Sequence, residues 1–232
     1  MSMDINGTLI VDTAFAEQRG TFRAASTEKT AKRLKLKVND TYYDLTGERA
    51  FETFPLTSGS GRYTVALYRQ VEGKRYARVG LVRFSVRLQR EDAAFLYPNQ
   101  WIMYDGLSPW ILAAHQMCDG LQGEDAFDAI CHLIEQNIRY DYIRALKAKP
   151  GERPDIERCW DVQMGTCQDI AALATSMMRA RGIPARLAIG RADGRLHAWT
   201  VVNLGERAVR YDPTAELGAI KIPTKYSAER WY

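Results

Sequence analysis

Two spacings of hydrophobic residues divide the chain. Up to about residue 90, apolar and polar positions alternate, the period of a strand with one buried face. Leu34, Leu36 and Val38 alternate with Lys35 and Lys37, and Asn39-Asp40 offers a turn before the strand continues to residue 45. Residues 20–24 form a short strand candidate, and residues 51–56 alternate as far as Pro55. Ser58-Gly59-Ser60-Gly61 is a loop. The longest strands are expected over 62–71 and 75–88, with Glu72-Gly73 as the hairpin turn. Tyr63, Val65 and Leu67 share one face of the first, while Val79, Leu81 and Arg83 alternate on the second. The pattern predicts a small antiparallel β-sandwich-like domain over residues 1–92.

From residue 93 the period lengthens. A connector rich in aromatics, with Trp101, Tyr104 and Trp110, is expected to be packed down or to form a substrate wall. Helices are expected over 109–119 and 124–139. In the second, Phe127, Ile130, Cys131, Ile134 and Ile138 form one stripe, and Glu124, Asp125 and Asp128 enrich the first turn. Residues 147–154 form a polar Gly/Pro loop, a candidate cleft rim. Asp155 caps a short helix through Trp160. Ile170, Leu173, Ala174 and Met177 mark one apolar face of a helix that begins near Cys167. Arg179 and Arg181 sit in its last turn, where cations suit the helix dipole, and Gly182 and Pro184 stop it. Strand-like runs follow at 183–190, 196–202 and 208–214, with a turn at 203–206. The second domain, 93–232, is therefore α+β.

Composition narrows the choices. The chain has 232 residues, a net charge of +4 and a hydrophobic fraction of 46%, enough for a substantial core. The cluster from Lys32 to Lys37 reads as the solvated face of a strand, and no nucleic-acid-binding motif accompanies it. No run approaches the ~18 apolar residues of a membrane span. Residues 1–13 show neither a basic start nor an apolar h-region, so as it stands the chain reads as cytoplasmic, or as exported if a signal has been removed. Four cysteines in so long a chain do not suggest a disulfide scaffold. His115, Cys118, Cys131 and His132 could supply zinc ligands, but neighbours on a helix point about 100° apart, which spoils the second pair. His115 reads as a core or hydrogen-bonded histidine and His132 as solvated. No metal or cofactor is expected.

The chemistry gathers around Cys167. At a helix start, unpaired N–H groups favour an anion, so a thiolate is favoured there. The bland alternative is a small buried apolar residue. His197 and Asp212 follow on the two strands flanking the 203–206 turn. Opposite side chains on such strands lie about 5 Å apart. An aspartate can then orient the imidazole while the other ring nitrogen takes the thiol proton.

These residues resemble a known family. Gly165-x-Cys167-x-Asp169, Met178-Arg179-Ala180-x-Gly182-Ile183-Pro184-Ala185-Arg186, His197-Ala198-Trp199 and Tyr211-Asp212-Pro213-Thr214 resemble the transglutaminase-like core, which includes transglutaminases, bacterial cysteine proteases and peptide N-glycanases. The likeness runs from about Glu124 to the C-terminus. The Ile138-x-Tyr140-Asp141 and Tyr226-x-x-x-Arg230-Trp231-Tyr232 segments add to it. The resemblance implies a papain-like cysteine enzyme domain, with Cys167 as nucleophile, His197 as general base and Asp212 as its orienter. Phe54-Pro55-Leu56, Gly59-x-Gly61-x-Tyr63 and residues 95–100 resemble the β-domain that precedes this core in some bacterial members. That domain is expected to shape the cleft or to bind a substrate or partner.

The expected activity is thiol-dependent acyl transfer on amide bonds of a peptide or protein substrate, most simply by a cysteine peptidase or amidohydrolase. Amine transfer by a protein-glutamine transglutaminase is one alternative; a non-catalytic scaffold is the other. The oxyanion of such a reaction needs two N–H donors. The Cys167 backbone is one, and Gln163, Gln168, Gln100 or Trp160 could supply the second. Trp160 is otherwise expected to pack under the Cys167 turn, and Asp169 to cap locally. Oligomeric state is not legible in the sequence.

Overall fold

The computed structural model describes residues 2–3, 7–30, 32–47, 50–149 and 151–232. Pro150 of the loop expected over 147–154 lies outside them, as do Met1 and residues 4–6 of the stretch read for an export signal. The chain divides into two compact units, Met1–Ala94 and Phe95–Tyr232.

The first unit contains β1 (Ser2–Met3), β2 (Leu9–Asp12), α1 (Ala16–Arg19), β3 (Thr21–Ser26), β4 (Leu34–Val38), β5 (Thr41–Leu45), β6 (Glu52–Pro55), β7 (Gly61–Glu72) and β8 (Arg75–Val86). They form two four-stranded antiparallel sheets, in the orders β1-β2-β3-β6 and β5-β4-β7-β8. Aromatic rings pack within and between the sheets. Phe22 stacks on Phe54 at 5.6 Å, Phe22 meets Phe84 edge-on at 5.6 Å, and Tyr43 meets Phe54 at 5.3 Å. Tyr63, Val65 and Leu67 are buried as their alternation requires, as are Leu34, Leu36 and Val38.

The expected face of β8 is corrected. Gly80, Val82 and Val86 are buried, whereas Val79 and Leu81 are half-buried and Arg83 is exposed. The register pairs Tyr63 with Phe84 and Val65 with Val82, so the buried face of β7 continues onto the even-numbered residues of β8. The short elements β2 and α1 were not anticipated from the spacing.

The second unit contains α2 (Pro109–Met117), α3 (Gly123–Asn137), β9 (Arg139–Tyr140), α4 (Tyr142–Lys147), α5 (Ile156–Asp161), β10 (Met164–Gly165), α6 (Cys167–Ala180), β11 (Ala185–Ala192), β12 (Arg195–Leu204), β13 (Arg207–Tyr211), α7 (Pro213–Glu216) and β14 (Tyr226–Trp231). The four long strands form one antiparallel sheet in the order β13-β12-β11-β14. β9 and β10 pair in parallel, Tyr140 opposite Gly165. Overall this is a mixed fold of helices and antiparallel sheet.

The centre of this unit is α6. It packs on β11 and β12 and also meets α2, α3, α5 and α7. Every residue from Asp169 to Arg179 is buried, so the expected single apolar face is wrapped on all sides. Small residues, including Ala171, Ala172, Ala174 and Ser176, leave room for this. Their polar neighbours are satisfied internally. Thr175 Oγ1 donates to Ala171 O (2.8 Å), as does Thr200 Oγ1 (3.0 Å).

Arg179 departs furthest from the sequence-based reading. It sits in the last turn of α6 as expected, but it is only 2% exposed and acts as a buried staple. Its guanidinium donates to the main-chain oxygens of Ala185 (2.8 Å), Tyr97 (2.9 Å) and Tyr232 (2.7 Å). Burial lowers its pKa to about 10. A planar fork satisfies three carbonyls at once, which a flexible ammonium could not do.

Candidate active site

The turn before α6 is built to hold Cys167 at the first helical position. Thr166 is the N-cap, and Thr166 and Asp169 form a capping box. Asp169 Oδ2 accepts from Thr166 N (2.9 Å) and Thr166 Oγ1 (2.8 Å), while its Oδ1 accepts from Asp155 N (2.9 Å). Arg144 stands 3.7 Å from the same carboxylate. Asp169 thus caps locally, as its position suggested. Gly165 must be a glycine, because a Cβ there would lie 2.5 Å from Cys159 Sγ. As the first residue of α6, Cys167 has an N–H without an intrahelical partner.

His197 and Asp212 meet at the sheet. His197 Nε2 donates to Asp212 Oδ2 at 2.8 Å, with both residues buried. They are not directly opposite. β12 and β13 pair Thr200 with Tyr211, so the register carries Asp212 toward Trp199 and the bond to His197 is diagonal. Asp212 is also the N-cap of α7, its Oδ1 accepting from Thr214 N (3.2 Å) and Ala215 N (3.3 Å). Pro213 ends the strand and begins that helix, which orients the carboxylate.

Burial disfavours the charge on His197, but hydrogen bonds to Asp212 and Cys167 outweigh it and raise its pKa to about 9. Burial likewise pushes the Asp212 carboxyl up, but the bond to His197 leads the interactions that bring it below its ordinary value. Cys167 and His197 line one cavity, and His197 is bonded to Asp212. With Nε2 committed to Asp212, Nδ1 is the ring nitrogen left for the sulfur. Of the other cysteines, Cys118, Cys131 and Cys159 are buried, whereas Cys167 is half-buried. Burial raises the pKa of Cys159 to about 12 and that of Cys131 further still.

Cys167 and His197 open onto a cavity of about 300 Å³. One wall is α4 and the segment after it, with Arg144, Ala145, Lys149 and Glu152. Leu196, Glu229 and Arg230 also line it, as do Trp101 and Tyr140. Lys149, Glu152, Leu196, Glu229 and Arg230 are exposed, so the walls face solvent. α4 was not anticipated; Asp141 nucleates it by accepting from Arg144 N (2.9 Å).

The four residues considered as second oxyanion donors separate. Gln168 lines the cavity, but its amide donates to Glu152 O. Gln163, Gln100 and Trp160 are not among the lining residues. Trp101 is, stacked on Tyr232 with ring centres 4.1 Å apart. The sequence flagged it only as an aromatic in a connector. His115 is exposed and hydrogen-bonds Arg181 (3.0 Å), and His132 is exposed beside Gln136. Among the described residues no group of three or more metal-ligating side chains gathers. Among the described residues no helix is long and apolar enough to cross a membrane.

Residues 113–213, from α2 to the first residue of α7, match the Transglutaminase-like superfamily. The matched segment spans Cys167, His197 and Asp212. Among solved structures, the chain is similar to a candidate cysteine protease from Cytophaga hutchinsonii, with 20% identity and a TM-score of 0.47, covering 84% of this chain and 71% of that one. A TGase shows 21% identity and a TM-score of 0.40 over 52% of this chain and 33% of its own. Red sea bream transglutaminase shows 13% identity and a TM-score of 0.33, with 85% and 48% covered. No curated protein matches the chain in sequence.

Proposed function

We propose that the chain is a cysteine peptidase or amidohydrolase acting on amide bonds of peptides or proteins, with Cys167 as nucleophile, His197 as acid and base, and Asp212 as orienter. One observation carries this reading: His197, held by Asp212 at 2.8 Å, lines the same solvent-facing cavity as Cys167.

In this mechanism the Cys167 sulfur attacks the amide carbonyl carbon and the carbonyl π pair moves onto oxygen. The Cys167 N–H donates to that oxyanion, and the indole N–H of Trp101 is the second donor we assign. The C–N bond then breaks and His197 gives its proton to the leaving amine, producing a thioester. Water attacks the thioester with His197 taking its proton, and the acid leaves as the thiol re-forms. Exposed walls suit a polypeptide strand lying across the site.

The test is hydrolysis of casein, run beside amine incorporation into a glutamine-donor peptide, with the parent and Cys167→Ala. Hydrolysis that falls by about 10³-fold or more in the variant is the expected result. Amine incorporation without hydrolysis would replace the peptidase by a transglutaminase. Equal activity of parent and variant would leave only a scaffold.

A further inference from the structure

Asp212 has a partner that the three-residue arrangement does not use. The Tyr226 hydroxyl donates to Asp212 Oδ2 at 2.8 Å, the same oxygen that receives His197 Nε2. Tyr226 begins β14, which pairs with β11, whereas Asp212 follows β13 at the opposite edge of the sheet. The ring therefore has to lie across the strands between them. Small residues clear the way. Ala192 pairs with Tyr226, and Gly190 pairs with both His197 and Ala228. A Cβ on Gly190 would sit 2.1 Å from Ser227 O, so only glycine lets β14 approach this closely.

The ring is also held. Trp199 meets it edge-on at 5.0 Å and lies alongside His197 at 6.3 Å, while the Arg210 guanidinium sits over it 3.8 Å from its centre. A cation on the ring face makes the phenol a stronger donor. Burial raises the Tyr226 pKa, and the adjacent Asp212 charge raises it further, so the phenol keeps its proton and only donates toward the carboxylate.

We propose that Tyr226 is a positioning residue of this site: its hydroxyl shares Asp212 Oδ2 with His197 and so limits the negative charge that oxygen presents to the imidazole. The proposal rests on the reading of Cys167, His197 and Asp212 above. Asp212 now carries donors on both oxygens, with Thr214 N and Ala215 N on Oδ1 and His197 and Tyr226 on Oδ2. A carboxylate so placed neither rotates nor binds the imidazolium as tightly as a bare one. A moderated imidazolium is a better acid toward the leaving amine. The ionisable groups acting on this set are Cys167 from α6, Arg210 from β13 and Asp193 from the β11–β12 turn. Arg144, Glu152, Glu229 and Arg230 stand on the cavity walls.

The test is Tyr226→Phe in the full chain, which keeps the ring between Trp199 and Arg210 and removes only the donor. The readout is the His197 titration by NMR, its signal assigned by its loss in His197→Gln. The parent midpoint is expected near 9. In the variant we expect it to rise by about half a unit to one unit, as Oδ2 turns wholly to the imidazolium. We also expect kcat to fall about fivefold with KM unchanged. A midpoint that stays or falls would overturn the proposal. The titration is read without turnover, so its outcome is distinct from loss of the peptidase reading, which Cys167→Ala decides.

Discussion

In the first unit the largest fully buried side chains include Phe22, Phe54, Leu36 and Tyr63, packed between two sheets. In the second, Asp169, Thr175, Arg179, His197, Thr200 and Asp212 are buried alongside Ile130 and Ile134. The first unit is held chiefly by apolar area and ring contacts, which tolerate small shifts. The second places polar groups in its interior, each needing its own partner at a set distance, because a buried polar atom without one is costly. That cost makes the second unit unforgiving, and it also holds a sulfur, an imidazole and a carboxylate in register. The two ends of α6 show the same contrast at closer range. At its C-terminal end Arg179 saturates three carbonyls. At its N-terminal end the Cys167 N–H sits in the first turn, where it has no intrahelical partner and is the oxyanion donor of the proposed mechanism.

The sharpest way to break the contrast is Arg179→Met. It removes a charged donor from three main-chain oxygens, of which Tyr232 O keeps Leu187 N at 3.0 Å, and is expected to cost about 3–5 kcal/mol in urea unfolding. A loss under ~1 kcal/mol would mean that the apolar packing around α6 suffices alone. Phe54→Ala in the first unit is expected to cost about 3–4 kcal/mol through the cavity it leaves against Phe22 and Tyr43. Near-neutral behaviour there would show that the sheets close up over the gap.

Asp212→Asn addresses charge rather than packing. The folded pKa of His197, about 9, lies above its ordinary 6.5. Its proton therefore contributes stability fully present below 6.5 and lost as pH rises through about 9. On the proposed mechanism the proton for the leaving amine is lost over the same range, so kcat/KM should fall above about 9 in the parent. With Asn the falling limb should move down by about one unit or more; an unmoved limb would place its origin elsewhere. The smallest expected effect is that of Thr166→Ala. Loss of the N-cap should cost about 1 kcal/mol, read as a lower urea midpoint. No change would mean that Asp169 holds the turn by itself.

Local chemistry made much of this legible in advance. Alternation over 34–45 and 62–88 marked the sheets, since a strand's period is a property of its own residues. The start of α6 could be read at Thr166-Cys167 because capping is a contact within one turn. The order of Cys167, His197 and Asp212 came with four short motifs. Other features involve residues far apart in the chain and leave no local trace. Arg179 reads as a dipole cation until Tyr97 and Tyr232 are brought beside it. The buried face of β8 depends on its register with β7. α4 is too short and too exposed, with Ile143 and Leu146 facing solvent, for spacing to reveal it.

The sequence by itself determined the strand and helix periods of the two units, the helix that begins at Cys167 and the three side chains proposed for acyl transfer, because period, caps and side-chain chemistry are all local. Only the tertiary structure decided that Trp101 lines the cavity, that Gln163, Gln100 and Trp160 do not, and that Tyr226 shares the carboxylate of Asp212. Those outcomes follow from strand order and register, which are settled only when distant segments pack and their side chains compete for the same space.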